Sequence, residues 1–156
     1  MIEVTDVTRI YQMGLVEVRA LQGVNCRIES GEFVGIMGPS GSGKSTLLHI
    51  LGLLDEPTAG TVIIDGIPVG TLSEEEKSDF RLNRLGYVFQ DYALVPELSV
   101  QENVVLPAMA RGISPNEYLR ESEKILHEVG LGHRIHHRQY ELSPAGSSSG
   151  WPSPGP

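Results

Sequence analysis

Apolar positions in this chain come in short runs separated by turn residues, which predicts a mixed α/β protein. The first thirty residues read as short strands joined by tight turns. Glu32-Phe33-Val34-Gly35-Ile36-Met37 is an apolar run bounded by Ser30-Gly31, as expected of a buried strand. Thr46-Leu47-Leu48-His49-Ile50-Leu51 lacks glycine and proline and can carry a helix. Thr61-Val62-Ile63-Ile64-Asp65-Gly66 predicts a strand ending in a turn, and Leu85-Gly86-Tyr87-Val88-Phe89-Gln90 a second core strand. Ser73-Glu74-Glu75-Glu76 has capping-box spacing and opens a polar helix toward Asn83, its acidic start suiting the helix dipole. Ser114-Pro115-Asn116-Glu117 has the same spacing, with proline at the first helical position. Tyr118, Ser122, Ile125, Leu126 and Val129 then share one helical face, and Gly130 is placed as its stop. The part after about residue 91 is therefore expected to be mostly helical, attached to an α/β core.

Composition narrows the function classes. The 156 residues suit one domain with a real core, and 12 Lys+Arg against 20 Asp+Glu give a net charge of −8, which argues against a general nucleic-acid surface. Cys26 is the single cysteine, so there is no disulfide framework, and it is expected to be a small buried residue of a strand. Met1 to Asp6 shows no basic region followed by an apolar stretch, so no signal peptide is expected. No apolar run approaches the roughly 20 residues that span a bilayer, so a membrane role would run through a partner. His133, His136 and His137 alternate with Arg134 and Arg138, which would oppose a cation; a solvated loop is expected there.

The chemistry concentrates between the expected strand and helix. Gly38-Pro39-Ser40-Gly41-Ser42-Gly43-Lys44-Ser45-Thr46 fits G-x-x-x-x-G-K-[ST], whose glycines let successive backbone N–H groups turn inward around an anion. Lys44 would reach the β- and γ-phosphates as a point charge, and the Ser45 hydroxyl would ligate Mg²⁺. Strand, loop and helix stand in the order a phosphate-binding loop requires, with the helix N-terminus facing the phosphates.

Together with this loop, Tyr11, Pro57-Thr58-Ala59-Gly60-Thr61-Val62 and Gly86-Tyr87-Val88-Phe89-Gln90 make residues 1–143 resemble the N-terminal part of an ATP-binding cassette (ABC) transporter ATPase. The branch resembled is the one that drives lipoprotein release and macrolide or peptide export. The resemblance implies a phosphate-loop NTPase core with an N-terminal antiparallel β subdomain over residues 1–90 and a helical subdomain over 91–143, the C-terminal half of the fold being missing. It implies ATP and Mg²⁺ as ligands. Tyr11 would stack on adenine, Ser40, Gly41, Ser42, Gly43, Lys44, Ser45 and Thr46 would hold the phosphates, and Ser45 and Gln90 the metal; Lys44 and Gln90, the latter also touching the attacking water, are the implied catalytic residues. Without the family, Tyr11 would read as a half-buried strand tyrosine and Gln90 as a satisfied polar strand end. The implied partners are transmembrane permease subunits, met around Leu94–Val100, and a second copy of the ATP-binding subunit, on the inner face of the cell membrane. A soluble relative acting on DNA or ribosomes, or a phosphate-loop kinase, fits the acidic balance and the Tyr11 and Gln90 contexts less well.

The resemblance ends at Glu141-Leu142-Ser143, where the family's signature motif would continue Gly-Gly-Gln. One codon choice for Pro144 to Pro156, with its first two bases dropped, encodes Gly-Gly-Gln-Gln-Gln-Arg-Val-Ala-Ile-Ala-Arg-Ala. Residues 144–156 are therefore expected to be an out-of-frame tail. The family's metal-holding carboxylate, catalytic glutamate and switch histidine would lie beyond it. The alternative reading is accordingly a non-catalytic fragment that at most binds nucleotide. Val34, Ile36 and their neighbours would also lack the parallel strands that cover them.

Overall fold

Two long strands open the chain: β1 (Ile2–Met13) and β2 (Val16–Ile28) pair antiparallel around a tight turn at Gly14-Leu15. The computed structural model describes residues 1–89 and 94–138. Gln90, the expected start of the signature motif at 141–143 and the expected tail 144–156 lie outside the described residues. The chain divides into two compact units, Met1–Tyr87 and Val88–Pro156.

In the first unit β3 (Ala59–Ile64) pairs antiparallel with the other edge of β1, and the short β4 (Ile67–Pro68) pairs with β3, giving the order β2-β1-β3-β4. The strand expected at 61–66 is thus present, and the short early strands expected over the first thirty residues are instead two long ones of 12 and 13 residues. Val4 and Val7 are both buried although they stand three apart, which a strict two-residue period would forbid. An irregularity in register between them, with Asp6 in a left-handed conformation, turns both inward. Helix α1 (Lys44–Leu51) buries Leu47, Ile50 and Leu51 in the same core as Val4, Val7, Leu21, Val62 and Ile64. Cys26 is half-buried on β2 against this cluster, and burial pushes its thiol pKa up.

Helix α2 (Glu74–Arg84) begins where the capping box places it. The Ser73 hydroxyl accepts from the Glu76 N–H, while the Glu76 carboxylate accepts from the Ser73 N–H at 2.8 Å. The helix contributes Phe80 to the core and buries Lys77, whose ammonium donates to Glu56 and, at 2.8 Å, to Glu74. Those hydrogen bonds hold the Lys77 pKa above its ordinary value despite burial. Ser73→Ala removes the acceptor for one orphan N–H and should cost about 1 kcal/mol. Urea unfolding checks this: a shift in midpoint well below that would show the box adds nothing to stability.

Two expected strands are not strands. Residues 33–37 and 85–89 belong to none of the four, and Phe33, Met37 and Val88 are fully or almost fully exposed. A buried strand requires neighbours on both edges to satisfy its N–H and C=O groups. Among the described residues no strand pairs with either segment, so an apolar run alone does not make one. Parts of both segments still reach the core. Ile36 and Leu85 pack against it, and the Tyr87 hydroxyl donates to the Gly52 carbonyl just past α1.

The second unit holds α3 (Val100–Ala110), α4 (Pro115–Glu128) and a single 3-10 turn at Gly132–Arg134. A capping box between Ser99 and Glu102 starts α3. Asn103 ties down the segment before it, accepting from the Val95 N–H and donating to the Val95, Leu98 and Ser99 carbonyls. The box expected at Ser114 does not form. The Glu117 N–H that the hydroxyl would cap donates instead to the Ser114 carbonyl at 3.0 Å. Of the five residues expected to share one helical face, Ser122 and Leu126 are buried and Tyr118 partly so; Ile125 and Val129 are exposed. Gly130 does end the helix: its N–H donates to the His127 carbonyl, and the Leu131 N–H to Leu126.

Candidate functional site

The starts of α1, α2 and α3 are built in two ways. Those of α2 and α3 carry a serine cap, a reciprocal glutamate and acidic residues in the first turn. That of α1 has Gly43 at the cap position, no side-chain cap and no acidic residue in its first turn. No side chain caps its first N–H groups, and no local carboxylate opposes an incoming anion. The positive end of the helix dipole therefore faces outward, at an exposed loop.

Gly43 is required there on two grounds. Its φ of 87° is left-handed, and a Cβ would stand 2.5 Å from the Ala20 carbonyl oxygen and 2.8 Å from Leu21 Cδ2. The loop thus rests directly on β2. The Lys44 ammonium reaches back across the loop to the Gly38 carbonyl at 3.0 Å and that of Pro39 at 2.7 Å. Its charge stands over the loop rather than out in solvent. Ser40, Gly41 and Ser42 form the exposed turn, closed by a 3.3 Å bond from the Ser42 N–H to the Pro39 carbonyl. Ser45 and Thr46 follow in the first turn of α1, Ser45 exposed and Thr46 partly covered. Seven of the expected site residues, Ser40 to Thr46, therefore run through one exposed turn into the start of α1, where backbone donors and a cation suit an anion.

Tyr11 lies on β1 near the same end of the sheet. It pairs with Val18 on β2, while Arg9, two residues back, pairs with Leu21, against which the loop rests. The Tyr11 hydroxyl donates to Asp55 Oδ2 at 2.6 Å. The Arg9 guanidinium grips the same carboxylate, Nε to Oδ2 at 3.0 Å and Nη2 to Oδ1 at 2.5 Å, and stands 4.5 Å from the centre of the Tyr11 ring. Burial would raise the Asp55 pKa, but the bonds from Tyr11 and the Glu56 N–H and the Arg9 charge outweigh it and hold it below its ordinary value. Nothing in the sequence linked Arg9 or Asp55 to Tyr11. The i, i+2 spacing of Arg9 and Tyr11 puts them on one strand face, but the carboxylate that joins them is 44 to 46 positions away.

A cavity of about 630 Å³ lies beside this cluster, lined by Arg9, Asp55, Glu56, Gly60, Glu74 and Lys77 among others. Its charged groups are paired with one another, Arg9 with Asp55 and Lys77 with Glu56 and Glu74. Among the described residues no three His, Cys, Asp or Glu side chains are grouped to hold a metal ion, and no helix is long and apolar enough to cross a membrane.

Comparison with known proteins gives this geometry a context. A sequence model described as "ABC transporter" matches residues 21–151. An ABC transporter ATP-binding protein from Thermotoga maritima is 48% identical over 141 residues, covering 90% of this chain and 60% of the relative. The lipoprotein-releasing system ATP-binding protein LolD of Geobacter metallireducens is 41% identical, with 92% of this chain and 64% of the relative covered. The macrolide export ATP-binding/permease protein MacB of Marinobacter nauticus is 45% identical over 92% of this chain and 22% of its own length. Among solved structures, the dimeric ATP-binding cassette MJ0796 in a post-hydrolysis state bound to ADP and Pi superposes with a TM-score of 0.84 at 41% identity, over 92% of this chain and 63% of that one. The chain thus spans about 60% of the length of the Thermotoga relative.

Proposed function

Because the chain belongs to the ABC transporter family, we propose that it binds ATP with Mg²⁺ as the ATP-binding subunit of an export-type transporter. ATP binding and hydrolysis would be coupled to export through separate membrane subunits. The observation that carries this reading is the uncapped start of α1, with Lys44 folded over a loop of exposed donors. Residues 40–46 would hold the triphosphate, with Lys44 at the β- and γ-phosphates. The Ser45 hydroxyl, in the first turn of α1, would ligate a phosphate-bound Mg²⁺, and Gln90 would complete the metal's surroundings. Tyr11 would give its ring to adenine, a contact of one π-face on another. The dimeric cassette with ADP and Pi supports a pair of such subunits, and relatives named for lipoprotein release and macrolide export support the export branch. Docking on membrane subunits would then place the chain at the inner face of the membrane.

The Thermotoga relative is longer, and among the described residues the apolar segments 33–37 and 85–89 join no strand of the sheet. In a complete cassette these segments would become strands between neighbours supplied by the further residues.

A second reading, nucleotide binding without turnover, is favoured by one observation. The carboxylates that follow α1 are already engaged, Asp55 with Arg9 and Tyr11, Glu56 with Lys77. Asp55, with both oxygens bonded, is not free to orient an attacking water, and Glu56 is committed to Lys77 through one of its oxygens. Titration with ATP and Mg²⁺, followed by phosphate release on the same sample, tests both. Saturable binding with turnover supports the first reading, and binding alone supports the second. Absence of saturable binding would remove both.

A further inference from the structure

In the first unit, the group formed by Arg9, Tyr11 and Asp55 is not explained by the phosphate loop. A tyrosine needs a partner for its hydroxyl when its ring is partly covered, and one hydrogen bond would satisfy that need. Here the arrangement is more constrained. Asp55 accepts from the Tyr11 hydroxyl at 2.6 Å and from two guanidinium nitrogens of Arg9, and the guanidinium carbon stands 4.5 Å from the ring centre. The ring is therefore held at its tip by a carboxylate and on one face by a cation. Rotation about its two side-chain torsions would break the hydroxyl bond or the face contact.

We infer that Arg9 and Asp55 are positioning residues that hold the Tyr11 ring with one face closed by the guanidinium and the other presented to the adenine of bound ATP. This rests on the proposed role of Tyr11. Three observations carry it. Arg9 and Tyr11 share a strand face, and the Asp55 that joins them stands at the far end of the segment that begins with the phosphate loop and α1. The pair is well shielded, with side-chain exposures of 23% for Arg9 and 19% for Asp55, so water competes weakly for it. The β2 residue opposite Arg9, Leu21, is with Ala20 one of the two that a Cβ at the loop's Gly43 would strike, so the ring and the loop lie against the same stretch of β2. A planar cation over one face also disfavours a base on that side, which leaves a single stacking face.

A purely structural role for the cluster would affect all ligands alike, so the test compares two of them. ATP carries the base and the triphosphate, whereas tripolyphosphate carries the triphosphate alone. Affinities of both for the full chain, with Mg²⁺, give a ratio that isolates the adenine contact. The wild-type chain is expected to prefer ATP. Asp55→Asn and Tyr11→Phe should each reduce that preference about three- to tenfold, a part of what base stacking contributes, with tripolyphosphate affinity unchanged. Tyr11→Phe keeps the ring and removes only its anchor, so it remains informative if Asp55→Asn fails to fold. A preference for ATP that survives in both folded variants would overturn the inference and leave the role of Tyr11 standing. A wild-type ratio of one would overturn that role and the inference with it.

Discussion

Replacing Lys44 by alanine is expected to lower ATP affinity at least tenfold without unfolding the chain. The ammonium donates to two carbonyls of its own loop, Gly38 and Pro39, both in exposed residues, so little packing is lost with it. What is lost is a cation held over the turn where the phosphates would sit. Hydrogen bonds to charged groups are worth about 1.5–3 kcal/mol, which corresponds to roughly 10- to 150-fold in a binding constant. Tripolyphosphate should lose affinity in the same proportion, because Lys44 has no contact with the base. Arginine should not restore it: a planar fork does not fit a loop built around a compact point charge. A fluorescent-nucleotide titration with a thermal melt on each variant checks this. Wild-type affinity in Lys44→Ala would mean that nucleotide binds elsewhere on the chain.

How much of this was legible in the sequence depends on how local each feature is. The loop at 38–46, α1 and the capping box at Ser73 are set within a few residues of one another, and the structure has them as expected. The box at Ser114 was equally local and still failed. There the Glu117 N–H bonds to the Ser114 carbonyl in place of its hydroxyl, an outcome that spacing alone does not distinguish from a formed box. The box at Ser99 has the same spacing and forms, though the run before it drew attention only as a docking segment. Features that depend on distant neighbours were misjudged or invisible. Residues 33–37 have the composition of a buried strand, but composition does not supply the adjoining strands. The Arg9–Tyr11–Asp55 group unites positions that only the folded sheet brings together, so nothing in the local pattern marks Asp55. Family likeness supplied Tyr11, and the structure added what holds it.

Gly60→Ala should have the largest effect on stability of any single substitution considered. Gly60 lies on β3 at φ 91°, where β1 bulges toward it. A Cβ would stand 2.3 Å from the Asp6 carbonyl oxygen, 2.6 Å from its carbon and 2.7 Å from the Thr5 oxygen. All three are backbone atoms of the neighbouring strand, so no side chain can swing away to make room. The left-handed conformation alone costs an alanine about 1–2 kcal/mol. Relieving the contacts requires β1 and β3 to separate beside Val4, Val7 and Val62, which are core residues. The total should reach roughly 3–5 kcal/mol, a large share of the 5–15 kcal/mol typical of a domain, and lower Tm by about 15 °C or more. Gly66→Ala is the matching control. Gly66 is also left-handed, at φ 79°, but a Cβ there meets nothing within 4 Å. Its loss should be confined to the conformational part, about 1–2 kcal/mol. If the two alanine variants melt at the same temperature, the close approach of β1 to Gly60 does not exist in solution. If Gly60→Ala melts far lower, the glycine in the Pro57–Val62 segment is there because the strand beside it leaves no room for anything larger.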